Sequence, residues 1–157
     1  MRIKIIAVGK TDQPELQHLI DLYLKRLAFY VKIELLVLND IKNSKNLSIS
    51  DQMNKEAELI SKHIQQSDMV FILDEKGKEY SSKGFAQQLQ KVMNMGTKQL
   101  VLIIGGPYGF SQNFKKKANG SISLSKLTFS HQMVRLFLVE QLYRGYSILN
   151  NQPYHHE

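Results

Sequence analysis

The sequence predicts an α/β fold, a parallel sheet with helices on both faces, and three observations carry that expectation. Runs of strand length at residues 3–8, 69–73 and 100–104 are apolar almost throughout, as strands are when neither face meets water. Between them lie segments whose apolar residues recur at helical spacing. The two kinds alternate as β-α-β-loop-α-β-α-β-(α)-β-α, an order that buries a parallel sheet between helix layers in a three-layer sandwich. At 157 residues the chain suits one domain, 1–157, with one sizeable core. It shows no internal repeat.

The first run, Ile3-Lys4-Ile5-Ile6-Ala7-Val8, follows a start too short and too charged for a signal peptide, so it reads as a strand. Residues 14–29 carry Leu16, Leu19, Ile20, Tyr23, Leu24 and Leu27 at helical spacing, with Pro14 suited to the first turn. Strand character returns at 31–38, and 39–50, rich in Asn, Ser and Lys, reads as a loop. Ser50 or Asp51 is the expected cap of a helix to about residue 65, with Met53, Ala57, Ile60 and Ile64 on one face. A strand at 69–73 precedes a helix capped by Ser81 or Ser82, carrying Phe85, Leu89, Val92 and Met93 and ended near Gly96. After the strand at 100–104 come a short basic helix near 111–118, a brief strand at 122–124 and a last helix over 131–149.

A formal net charge of +7 favours an anionic partner. Without a basic amphipathic anchor, nucleic acid is a better fit than an anionic membrane, although a soluble protein that is merely basic has the same composition. No cysteine is present, so disulfides, thiolate metal sites and a Cys nucleophile are excluded. No apolar run reaches the roughly 20 residues of a membrane span. A cytoplasmic location is expected.

Ligands of open α/β sheets sit beyond the carboxyl ends of the strands, and three such ends stand out. Leu73-Asp74-Glu75-Lys76-Gly77-Lys78 is a charged turn, either solvated or functional. Ile104-Gly105-Gly106-Pro107-Tyr108-Gly109-Phe110 allows close backbone approach to a ligand, or simply turns tightly; its spacing is neither that of a dinucleotide fingerprint nor of a Walker loop. Ser121-Ile122-Ser123-Leu124-Ser125-Lys126-Leu127-Thr128-Phe129 alternates small hydroxyl and apolar residues up to Lys126. That pattern fits a short strand, or a loop offering amides and hydroxyls to an adenine edge while apolar side chains hold the ring.

The last helix is apolar nearly all round, which implies burial on more than one side. His131 and Arg135 lie about 40° apart on it, whereas Arg135 and Arg144 lie about 180° apart, so one helix does not easily aim both arginines at one site. That geometry favours a subunit interface along the helix. Glu140 and Arg144 can pair as i,i+4 neighbours, structurally or as catalytic equipment. The tail Pro153-Tyr154-His155-His156-Glu157 carries groups suited to base stacking and proton transfer. Its adjacent histidines lack metal-ligand spacing, so no metal is expected.

Together these pieces resemble the SPOUT (trefoil-knot) superfamily of small ribosomal RNA methyltransferases, and more narrowly the type that methylates N3 of a pseudouridine in the large subunit. The resemblance spans the chain. It rests most on Ile104-Gly105-Gly106-Pro107-x-Gly109, Leu124-Ser125-x-Leu127-Thr128-x-x-His131 and Glu140-Gln141-Leu142-Tyr143-Arg144. It implies a deep C-terminal trefoil knot, S-adenosyl-L-methionine held by Leu73, Gly105, Leu124, Ser125, Lys126, Leu127, Thr128 and Phe129, and a homodimer whose site is completed across the interface. The implied substrate is bacterial 23S rRNA, expected within the assembled ribosome; the rival readings are another RNA such as tRNA, or a non-catalytic ribosome-binding factor of the same fold. The chain departs from the type at His156, where relatives often carry Arg or Lys, so a permanent tail cation is not expected there.

The chemistry so implied sets further expectations. His155 takes the N3 proton and Tyr154 packs on the flipped base. His131 or Arg135 stabilises charge on the neighbouring carbonyl oxygens, Arg144 acts from the partner subunit, and Lys115, Lys116 and Lys117 contact phosphates.

Overall fold

Alternation inside the strands decides which layer each side chain joins. In the computed structural model, which describes residues 1–155, β1 (Arg2–Val8), β2 (Lys32–Leu38), β3 (Met69–Glu79), β4 (Gln99–Ile104) and β5 (Gly120–Ser123) form one sheet. Their order is β2-β1-β4-β3-β5 and every pairing is parallel. His156, the position expected to lack a permanent tail cation, lies outside the described residues.

Ile3, Ile5 and Ala7 of β1 and Leu100, Leu102 and Ile104 of β4 pack into one core with α1 (Pro14–Leu27), α3 (Ser82–Asn94) and α5 (Met133–Leu149). Their alternates Ile6, Val8, Val101 and Ile103 pack on the other face with α2 (Ile49–Ser61) and α4 (Gln112–Lys117). The result is the expected three-layer α/β sandwich. All six residues of β4 are buried, and each buried aliphatic side chain there contributes about 1.5–3 kcal/mol relative to exposure. On the first face α5 lies between α1 and α3. Gly145 permits this: a Cβ there would stand 2.9 Å from Leu89 Cδ1.

Three of the boundaries that differ from the sequence reading have a local cause. α2 is capped by Ser48, whose hydroxyl accepts from Asp51 N at 3.0 Å and donates to the Asp51 carboxylate at 2.6 Å; this local box outcompetes Ser50 and Asp51 as the start. β3 continues past Leu73 to Glu79, because its register slips between Leu73 and Lys78 and pairing with β5 resumes at Lys78–Ile122 and Glu79–Ser123. Backbone pairing, to which the charged side chains of this stretch give no clue, makes the extension. α5 begins at Met133, where the Ser130 hydroxyl accepts from Met133 N at 3.1 Å, so His131 precedes the helix.

The path into α5 positions the site. β5 ends at the sheet edge beside β3, yet Gln132 is bonded to Asp12 in the loop after β1, through Asp12 N to Gln132 Oε1 at 2.9 Å and Gln132 Nε2 to Asp12 Oδ2 at 3.0 Å. Residues 124–131 are therefore carried across the carboxyl ends of β3 and β4.

Candidate active site

The three strand-end loops enclose one cavity of about 520 Å³. Residues 73–76, in the stretch of β3 where its pairing with β5 slips, 104–110 at the end of β4 and most of 122–131 at the end of β5 form its wall. Close packing behind the second loop explains its glycines. A Cβ on Gly105 would meet the Phe110 ring at 3.0–3.3 Å, and one on Gly106 would fall 2.6 Å from both carboxylate oxygens of buried Glu56. Gly109 takes φ +70°, and its N–H closes the turn on Gly106 O at 3.0 Å.

The third loop holds its shape through its own hydroxyls. Ser123 Oγ donates to Ser125 O at 2.9 Å, and Ser125 Oγ accepts from Leu127 N at 3.0 Å. Seven of the eight residues expected to hold a cofactor line the cavity: Leu73, Gly105, Leu124, Ser125, Leu127, Thr128 and Phe129. Lys126 does not; within the turn that Ser125 closes, its exposed side chain leaves the wall. His131 lines the cavity as well.

The first loop adds charge. Asp74 and Lys115 both line the cavity and form an ion pair. Burial works against the Asp74 carboxylate, but the bonds from Lys115 and Lys76 N outweigh it and hold its pKa below the usual value. Lys115, one of the three lysines expected to contact phosphates, is thus tied to the cavity wall; Lys116 and Lys117 follow it in α4.

Arg135 is not part of the cavity wall. It is wholly buried, with Nε donating to His131 O at 3.1 Å, Nη1 to Thr11 Oγ1 at 3.0 Å and Nη2 to Val8 O at 2.8 Å. Burial depresses its pKa, and nearby Asp40 and Asp12 act in the opposite sense. The expectation that Arg135 meets a substrate oxygen gives way to a strap joining the start of α5 to the loop after β1, since the i,i+4 reasoning that put it beside His131 did not show which way the guanidinium turns. Arg135→Ala is expected to cost about 3 kcal/mol or more by orphaning buried acceptors, which lowers the thermal midpoint by roughly 6–12 °C at this chain length. A shift below about 2 °C in a scanning fluorimetry comparison would refute that role.

The remaining candidates gather elsewhere. Tyr154 OH donates to Glu140 Oε1 at 2.9 Å and lies 3.0 Å from Tyr23 OH. Arg144 donates to Glu140 Oε1 through Nε at 3.1 Å and Nη2 at 2.6 Å, and its Nη1 lies 3.3 Å from His155 Nδ1. Burial opposes the Arg144 charge, but Glu140 prevails and its pKa rises. The Tyr154 ring stands edge-on to Tyr143 at 4.6 Å and carries the Arg144 guanidinium at 4.8 Å. A base cannot lie on the guanidinium-covered face while that contact holds, so one face of the expected stacking surface is already occupied. Arg144 lies eleven residues beyond the start of α5, about 16 Å along the axis. Within one protomer, then, His131 and the cavity are at one end of α5 and Arg144, Tyr154 and His155 are toward the other. Tyr23 escaped the sequence reading: it occupies a core-facing helical position, and only its polar tip distinguished it from Leu24 or Leu27.

The family model described as "Predicted SPOUT methyltransferase" matches residues 1–155 of this chain. The chain belongs to the SPOUT methyltransferase family. Among relatives of this SPOUT chain, one from Flavobacterium johnsoniae is 60% identical over 157 residues, covering all of both proteins. One from Christiangramia forsetii is 54% identical over 99% of each, and one from Porphyromonas gingivalis is 45% identical over all of both. Each of the three is named Ribosomal RNA large subunit methyltransferase H. A SPOUT methyltransferase requires a methyl donor, and the strand-end cavity offers a space for one. Among the described residues no His, Asp and Glu cluster is placed to hold a metal ion, and no helix is long and apolar enough to cross a membrane.

Proposed function

We propose that this chain is a cytoplasmic homodimer that transfers a methyl group from S-adenosylmethionine to N3 of a pseudouridine in bacterial 23S rRNA, on the assembled ribosome. The observation that carries the reading is the cavity built by three strand-end loops, in a chain whose full-length relatives at 45–60% identity are named large-subunit rRNA methyltransferases. The cavity suits the donor. Its volume falls among small-molecule sites of roughly 300–1,000 Å³. Leu73, Ile104, Leu124 and Phe129 offer apolar wall to a nucleoside, and Asp74 and Lys115 offer charge to a zwitterionic end. Gly105 and residues 124–129, Lys126 excepted, are the proposed holders.

The dimer and the trefoil knot belong to this proposal. The tail cluster lies far from its own cavity, so a second copy is needed to bring Tyr154 and His155 to it. Exposed Met133 and Phe137, the latter packed against Phe129, give the start of α5 an apolar surface that a partner can cover. The return of the chain from β5 to Asp12 across two strand ends is the kind of path a knot requires.

When bound, the donor supplies an electrophilic methyl group on a sulfonium. The chain's own residues orient the base and remove the N3 proton. Arginine only donates, so His155 Nδ1 accepts from Arg144 in the resting protomer and the ring hydrogen sits on Nε2. To act as base, the imidazole must turn off Arg144 Nη1 and take the N3 proton on Nδ1. His131 lines the cavity wall, and its role in this reading is to stabilise charge on a carbonyl oxygen next to N3. Lys116 and Lys117 supply phosphate contacts.

The test is labelled-methyl transfer to large subunits that lack the modification, with tRNA in parallel. Label at N3 of one pseudouridine supports the reading. Label only in tRNA replaces its substrate, and RNA binding without donor binding replaces enzyme with binding factor.

A further inference from the structure

The tail is held to its own protomer by a hydrogen-bond chain whose direction can be worked out. Asn151, at φ +53°, reverses the backbone after α5, and Gln152 N donates back to Ser147 O at 2.9 Å. Tyr154 then meets two partners. The Glu140 carboxylate accepts only, so the single Tyr154 hydroxyl hydrogen goes to Oε1 at 2.9 Å. Tyr154 oxygen is left as acceptor, and Tyr23 of α1 must donate to it at 3.0 Å. The order is Tyr23 to Tyr154 to Glu140. Arg144 completes it, donating twice to the same Glu140 oxygen, while Gln141 Nε2 donates to the other at 2.6 Å.

We infer that Tyr23 and Glu140 are positioning residues of the methyl-transfer reaction, which fix the Tyr154 hydroxyl so that His155 is presented to the partner's cavity. The inference rests on the proposed function above. The neighbouring residue explains why placement matters: a proton acceptor must come within hydrogen-bond reach of N3, and an untethered terminal segment spends little time there. Burial, then the bonds with Tyr23 and Glu140, push the Tyr154 pKa up, so the phenol remains the donor that this chain requires. None of the four residues lines the cavity, so they act on the tail and leave the donor site alone.

Tyr23→Phe tests this with little disturbance. It keeps the ring that packs on Tyr143 at 5.9 Å and under Arg26 at 5.3 Å, and removes one hydroxyl. The expected result is about a tenfold fall in kcat, as for one lost oriented hydrogen bond, with KM for S-adenosylmethionine within about twofold of wild type. A general structural role would not show the second readout. Tyr23→Phe protomers are mixed with Gly105→Trp protomers, whose cavity is blocked but whose tail is intact. In a mixed dimer the open cavity of one copy meets the undamaged tail of the other. Half of the dimers are mixed and each has one sound site, so activity recovers to about a quarter of wild type. Tyr154→Phe breaks the same chain from the tail side and must give the same loss and the same recovery, which covers the case of a poorly assembled Tyr23 variant. A kcat within twofold of wild type for both variants overturns the inference, as does a mixture no more active than its parts. Wild-type transfer is the separate control: its absence would sink the proposed function, whereas normal wild-type transfer with normal Tyr23→Phe transfer sinks only this inference.

Discussion

Gly105→Trp is expected to lower affinity for S-adenosylmethionine by more than about a hundredfold, a change of roughly 2.8 kcal/mol or more. Even a bare Cβ at this position would lie 3.0, 3.2 and 3.3 Å from three atoms of the Phe110 ring. That ring cannot easily retreat, because Phe110 is buried and stacked on Phe114 at 5.5 Å. An indole must either drive Phe110 through the cavity wall or occupy the cavity itself, and both remove the donor's space. Gly105 is not among the glycines at positive φ, so the backbone itself tolerates a side chain and the variant should remain folded. Calorimetry on a variant with unchanged circular dichroism and unchanged mass in solution measures the effect directly. Undiminished affinity would move the donor site away from these loops.

His155→Ala carries the other large effect: methyl transfer falls by about 10²–10⁴, the usual contribution of a positioned acid or base, while donor affinity stays within about twofold. The contrast follows from the geometry. His155 stands beside Arg144 toward the far end of α5 and does not line its own protomer's cavity. Tyr154→Ala is expected to behave alike, since it removes the ring from Tyr143 and Arg144 and breaks the link from Tyr23 to Glu140. Single-turnover transfer with labelled donor, beside calorimetry on the same samples, separates the two quantities. Full activity in both variants would remove the tail from the reaction. A matched loss of donor affinity would instead make the tail part of the donor site.

Much of the fold was legible because burial on two sides leaves its mark on each residue. The apolar runs at β1 and β4 and the helical spacing of Leu16, Ile20 and Leu27 record their layers directly. The strand-end rule then selected the three loops that meet around the cavity, since ligand position in such sheets follows from topology alone. Periodicity did not reveal the continuation of β3 beyond Leu73, which exists because its backbone finds β5 again after a slip in register.

The site divides in the same way. The sequence by itself determined the order of layers, the glycine turn at 105–109, the hydroxyl-rich loop and the residue types of the tail, because each is a property of neighbours along the chain. Only the tertiary structure decided that Lys126 turns off the cavity wall, that the Arg135 guanidinium points inward to Val8 and Thr11, and that Lys115 is tied to Asp74. It alone joined Tyr23 to Tyr154 across 131 positions of sequence. The physical reason is common to all four: spacing states which face of a helix or strand a residue occupies, but the direction of a long polar side chain is set by whichever donor or acceptor the fold brings within about 3 Å of it.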